Sequence, residues 1–245
     1  MSLGVLGKVA AGLVLLAVAA GVGVITYLSH TRPAALGLAS VTPRTTAASL
    51  PSDPLSLVCR RPAGASGLWV IQPGSVAGYR AHEQFAELTS PHEAVARTED
   101  IRGSLLVEDV SDTRRIETGC VAVDIRTLRS IDELPGFNTS DRDKIARDFL
   151  SSAEHPYVVF QPYPSALRLS ATPNAVQHAT LDGDLEISGV TGRARFSLDV
   201  RVSSGQVAAA GSTTVLTDEF GVHVPEEAAV SCGSTLTSRW RCRFS

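Results

Sequence analysis

The chain has 245 residues, 44% hydrophobic and 19% charged, enough apolar material to build a core in one large or two small domains and too much for a disordered or collagen-like chain. Its formal charge is −3, and the first 60 residues hold four of the 22 Lys+Arg but one of the 25 acids, leaving 18 basic against 24 acidic residues beyond them. A nucleic-acid module concentrates positive charge on its folded part, so this balance argues against one. Only Lys8 and Lys144 are lysines, against 20 arginines and 30 alanines, a usage that points to a GC-rich bacterial coding sequence.

Residues 9–28 read VAAGLVLLAVAAGVGVITYL, 20 residues without a charge, which at about 1.5 Å rise per residue span the roughly 30 Å of a bilayer's hydrocarbon. The run is longer than the apolar region of a cleaved signal peptide, and Ser29, His30, Thr31 and Arg32 follow it without an Ala-x-Ala site. Residues 1–29 are therefore expected to form a single uncleaved membrane anchor, with a signal segment as the alternative. Lys8 facing Arg32 and Arg44 leaves the orientation open. Residues 30–68 carry five prolines, many small polar residues and no apolar period, the composition of a linker. One folded domain is expected over 69–245.

Within that domain the dominant signal is period two. Leu181, Gly183, Leu185 and Ile187 alternate with Asp182, Asp184, Glu186 and Ser188. After a turn at 189–192, Phe196, Leu198, Val200 and Val202 stand opposite Arg195, Ser197, Asp199 and Arg201. This predicts a hairpin with one dry face. The same alternation marks Ile101, Gly103, Leu105 and Val107, then Val121, Val123 and Ile125, and finally Leu236, Ser238, Trp240, Cys242 and Phe244. In the last segment Arg239, Arg241 and Arg243 form a stripe that either docks an anionic partner or keeps a last strand from pairing edge to edge. Residues 141 to about 152 break the pattern: Ile145, Phe149 and Leu150 fall at helical spacing, Ser140 can cap, Asp141 and Asp143 suit a helix start, and Pro156 ends it. The fold class is mainly β, an antiparallel barrel of about eight strands with one or two short helices, preceded by a single transmembrane helix. Closure removes the sheet edges, and about eight strands leave room for one slender ligand.

Several segments in order resemble one family. LWVIQPGSVAGYRAHEQF, with Trp69, Ser75 and Tyr79, is followed by ARTEDIRGSLLVED. Next come Asp141-Arg142-Asp143-Lys144 with Arg147, Phe149-Leu150, His155-Pro156 and Phe160, then Gly183-Asp184-Leu185-Glu186-Ile187-Ser188-Gly189-Val190-Thr191, and Asp218-Glu219-Phe220-Gly221-Val222. Together they are similar to the YceI-like family, and the C-terminal SCGSTLTSRWRCRFS departs from it in its cysteines and arginines. The resemblance implies an exported bacterial protein with an extended, lipocalin-like barrel that binds a long isoprenoid or other amphiphilic chain.

No Gly-x-Ser-x-Gly, Walker loop, Gly-x-Gly-x-x-Gly, His-Glu-x-x-His or Cys-x-x-Cys is present. Asp141, Asp143, Asp148 and Glu154 beside His155 could do acid–base work, but the helix dipole and neighbouring Arg142, Lys144 and Arg147 explain them adequately. His82, His92, His178 and His223 have no metal-ligand spacing. Asp218-Glu219 and Glu226-Glu227 read as solvated turns before calcium ligands. No catalytic residue, metal or cofactor is expected. Cys232 and Cys242, roughly 33 Å apart if they share one extended strand, cannot bond each other. In a closed barrel the entrance to the first strand lies beside the exit of the last, which pairs Cys59 with Cys242 and leaves Cys120 and Cys232 paired or free. In the other reading Cys120 and Cys242 are small buried residues.

The inward series Tyr79, Leu105, Val107, Val123, Ile125, Phe160, Leu185, Phe196, Leu198, Phe220 and Trp240, with Phe149 at the mouth, supplies an apolar lining for such a chain. The expected function is non-catalytic binding or transport of a polyisoprenoid or other long-chain lipid at the bacterial cytoplasmic membrane, with the barrel extracytoplasmic. The alternative is a structural or protein-interaction envelope domain with a filled core.

Overall fold

The described strands, which include most of the residues that alternate in the sequence, form one antiparallel sheet of twelve. In the computed structural model, which describes residues 33–38, 58–59, 67–83, 92–110, 113–133, 138–169, 174–203, 206–222 and 241–244, the strands are β1 (Leu68–Val70), β2 (Ala77–Glu83), β3 (His92–Thr98), β4 (Ile101–Val110), β5 (Thr113–Asp124), β6 (Arg129–Ser130), β7 (Tyr157–Pro162), β8 (Ser165–Leu167), β9 (Val176–Ile187), β10 (Val190–Ser203), β11 (Gln206–Leu216) and β12 (Arg241–Phe244). Among the described residues, helix α1 (Thr139–Phe149) follows β6 and precedes β7. Residues 35–245 form one compact unit. The expected membrane segment, residues 9–28, lies outside the described residues. Among the described residues no helix is long and apolar enough to cross a membrane.

The hairpin is longer and tighter than its sequence suggests. Ile187 pairs with Val190, so the turn is Ser188-Gly189 and not 189–192. Both turn residues have positive φ, 51° and 76°, as a two-residue turn of primed type requires. The burial pattern of β9 then alternates without a break from Leu181 to Ile187.

The hydrogen-bonded path runs β1-β4-β5-β7-β9-β10-β11-β12-β2-β3-β6, with β8 pairing β5. Eight of the strands have six or more residues, close to the expected number. Full closure is not met: among the described residues the path ends at β1 and β6. The chain turns the corner from β3 to β4 in two residues, where Thr98 Oγ1 accepts the Asp100 N–H at 2.9 Å. The last strand is not an edge, because β12 lies between β11 and β2, so an edge-blocking role for its arginines is corrected. Trp240, Cys232 and the rest of 223–240 lie outside the described residues.

Two local expectations change. Helix α1 begins two residues earlier and is capped by Asn138, whose side chain accepts from the Ser140 N–H at 3.0 Å. It stops at Phe149 because Ser151 adopts a left-handed conformation, φ 50°. The Ser151 and Ser152 N–H groups then return to the Asp148 and Arg147 carbonyls, a Schellman closure. Strand β5 stops at Asp124, which caps a 3-10 turn, Ile125–Thr127. Ile125 is buried there, off the strand.

Candidate functional site

The inner face of the sheet closes on one apolar cluster. Val107, Ile125, Phe160, Leu185 and Phe220 are buried in it, and Tyr79, Leu105, Phe149, Phe196 and Leu198 pack against it half-buried. Val123 is half-buried on β5, paired in register with Ile101 and Val158. Trp240 lies outside the described residues. Sequence alternation missed Ile116, fully buried in the same cluster. Its phase is even where that of Val121 and Val123 is odd. The register shift between Leu106 and Val107 leaves Glu117 over, a bulge that switches the face.

Large side chains lie on glycines of the next strand. Phe160 covers Gly183 so closely that an added Cβ would meet its ring at 2.7 Å, and Phe220 covers Gly192 at 2.9 Å. Leu105 and Leu198 sit on Gly119 and Gly211 in the same way. Phe160 also meets Phe196, ring centroids 4.6 Å apart. This part of the interior is well filled.

Space appears at the wall. Among the described residues β8 pairs only with β5, β7 pairs with β9 only from Gly183 to Glu186, and Val176 to Thr180 of β9 pair only with β10. Between β8 and that half of β9 the sheet is split. A cavity of about 600 Å3 opens at the split, lined by Ala166, Leu167 and Arg168 on one side, by His178, Ala179 and Thr180 with residues of β10 and β11 on the other, and by Leu36 from the segment preceding the barrel. Of the expected lining residues only Leu198 borders it. Its polar rim contains the His178 and Asp199 pair, 2.6 Å apart and exposed.

The charged groups near α1 are engaged in structure. Asp132, with its side chain 3% exposed, meets His92 Nε2 at 2.7 Å and accepts from the Val95 N–H and Arg142 Nη2, each at 2.8 Å. Burial works to raise its pKa, but these three partners outweigh burial and hold it at about 2. Asp143 accepts from the Ser130 N–H and hydroxyl at 2.8 and 2.6 Å, and Asp148 pairs with Lys144 at 2.6 Å. His155 lies under Gly189 of the hairpin turn. Asp132, through Arg142 and the Val95 N–H, and Asp143, through Ser130, pin α1 to β3 and β6. Among the described residues no three His, Cys, Asp or Glu side chains gather as metal ligands.

The disulfide corrects the expected pairing. Cys59 bonds Cys120, with Cα atoms 5.4 Å apart, and not Cys242. The entrance to the barrel is not beside its exit: β1 pairs with β4, next to β5, whereas β2 is the neighbour of β12. Cys59 thus arrives on β5, five strands along the path from β12. There it forms a second small cluster with Ala122 and Val159, flanked by Tyr157.

A family model for the YceI-like domain matches residues 72–238. The chain belongs to that family. No curated protein matches it. Among solved structures it is similar to a polyisoprenoid-binding domain from Saccharophagus degradans implicated in plant cell wall breakdown, at 12% identity and TM-score 0.48, covering 73% of this chain and 95% of that one. It is also similar to BcnA of Burkholderia cenocepacia, at 13% identity and TM-score 0.45, covering 69% and 93%. The YceI-like match takes in Cys120 and nearly all of the cavity wall. Leu36 and Cys59 precede it.

Proposed function

We propose that this YceI-like protein binds, without catalysis, an amphiphile with an isoprenoid or other long apolar chain at the bacterial cell envelope. The observation that carries the reading is the barrel's inner face: one continuous apolar cluster, from Trp69 and Tyr79 to Phe220 and Val222, reached at its wall by an open cavity of about 600 Å3. That volume falls in the range of small-molecule sites, and at about 25 cal/mol per Å2 a buried chain needs few polar contacts. Tyr79, Leu105, Val107, Val123, Ile125, Phe149, Phe160, Leu185, Phe196, Leu198, Phe220 and Trp240 are the side chains we assign to its path. The engagement of Asp132, Asp143 and Asp148 in hydrogen bonds and ion pairs supports a non-catalytic role.

The uncharged run at 9–28 supports a single-pass anchor in the cytoplasmic membrane. The Cys59–Cys120 disulfide supports an extracytoplasmic barrel, since such bonds persist in oxidising compartments. A second reading, a solid-cored interaction domain, draws on the close seating of Phe160 and Phe220 on glycines. Native mass spectrometry of protein gently extracted from its own membrane separates the two: one stoichiometric lipid per chain is expected, and a reproducibly bare protein would favour the solid core.

A further inference from the structure

We propose that the split between β8 and β9 is the portal through which the ligand enters, with its head held at the rim by Arg168, and that the head is anionic, of phosphate type. The proposal rests on the lipid-binding reading above and adds where the molecule enters and which head it carries. Leu167, Ala179 and Leu198 border the cavity and also belong to the apolar cluster of the barrel or pack against it, so a chain admitted at the split meets the core directly. From Gly183 to Glu186 of β9 the wall is sealed by the β7 ladder. A passage at the split therefore breaks no ladder present among the described residues, whereas entry through any paired stretch would cost several backbone hydrogen bonds, each expensive to leave unmade.

The rim has a distinct charge. His178 and Asp199 pair with each other, whereas Arg168 is exposed and takes part in none of the ion pairs found among the described residues. One guanidinium, with hydroxyls of Thr180 and Ser197 on the facing strands, matches the bidentate acceptor geometry of a phosphate. Leu36 lines the cavity from outside the family domain, which puts it at the portal as a partial strap.

The test uses full-length protein with tritiated farnesyl phosphate and tritiated farnesol as probes, measuring uptake rate and equilibrium binding. Wild type is expected to bind farnesyl phosphate at least tenfold tighter than farnesol, and Arg168→Gln to lose that preference while farnesol binding stays. Ala166→Trp, at an exposed lining position, should slow uptake of both probes at least tenfold with an unchanged melting temperature. Leu36→Ala should accelerate it, an opposite change that simple loss of folding does not produce. If wild type binds the probes and all three variants behave like it, the portal is elsewhere and lipid binding stands. If wild type takes up neither probe, the lipid-binding reading and the portal both fall.

Discussion

Asp132 is nearly buried and held by a histidine, an arginine and a backbone amide, so its charge contributes to folding stability. Its folded pKa of about 2 lies below the ordinary 3.8, so the stability it contributes is complete above about pH 4 and is lost as pH falls toward 2. Linkage puts that contribution at roughly 2 kcal/mol. Urea unfolding between pH 2 and 7 should show the loss, and Asp132→Asn should flatten the acid limb while lowering stability at neutral pH. An unchanged acid limb in the variant would remove Asp132 from the account. Phe160 makes the steric counterpart. Phe160→Ala should cost about 3 to 5 kcal/mol by opening a cavity. Gly183→Ala should cost about 1 to 3 kcal/mol, because its Cβ would press on the Phe160 ring and on the Gln161 carbonyl, and that backbone belongs to β7 and is fixed by the ladder. Chemical denaturation of both variants measures this; a neutral Gly183→Ala would mean that Phe160 has somewhere else to go.

At the scale of elements, a few residues decide how regular patterns end or change face. Asn138 caps α1, so Asn138→Ala should lower stability by about 1 kcal/mol, whereas Ser140→Ala should cost less. Deleting Glu117 would leave Leu106 opposite Thr118 and Val107 opposite Ile116 in a regular ladder, so Ile116, fully buried, stays inward and the variant is expected to fold, whereas Ile116→Ala should cost about 2 to 5 kcal/mol in thermal unfolding. The Cys59–Cys120 bond spans 61 residues, for which a chain-entropy estimate gives about 4 kcal/mol. Non-reducing peptide mapping should link those two cysteines, and Cys59→Ser should lower the melting temperature to that of the reduced protein. A Cys59–Cys242 peptide would overturn the pairing. Strands β4, β9 and β10, part of β5, the hairpin and the helix were legible as periods in the sequence, because burial on one face leaves a mark every second residue in a strand and every third or fourth in a helix. The bulge and the Asn138 cap left none: a bulge is a single residue that belongs to neither phase, and Asn138, Thr139 and Ser140 all have side chains able to cap.

For the whole molecule, the proposed single-pass anchor and extracytoplasmic barrel predict a protein that pellets with membranes and exposes a C-terminal tag to protease from outside. A soluble mature form beginning near Ser40 would show that residues 1–29 are a signal segment. Lipid content belongs to the same scale, since the cluster from Trp69 to Val222 draws on nearly every strand, and no single substitution on it tests carriage as directly as the extracted protein does.

The amino-acid order alone was sufficient for the class of the protein. Strands dry on one face and five family segments in order are local properties, and they hold whatever the strands pair with. The family match spans residues 72–238, the stretch that holds most of those segments. Pairing was a different matter. Whether β1 meets β12 or β4 depends on which edges come together in space, and that choice moved the disulfide from Cys242 to Cys120. The same holds for the cavity. Alternation marks which side chains face inward, but it cannot tell whether an inward side chain rests on a neighbouring glycine, as Phe160 does on Gly183, or borders open space, as Leu198 does. That is decided by the ladder: where β7 and β9 are bonded the wall is filled, and where β8 and β9 part the molecule is open.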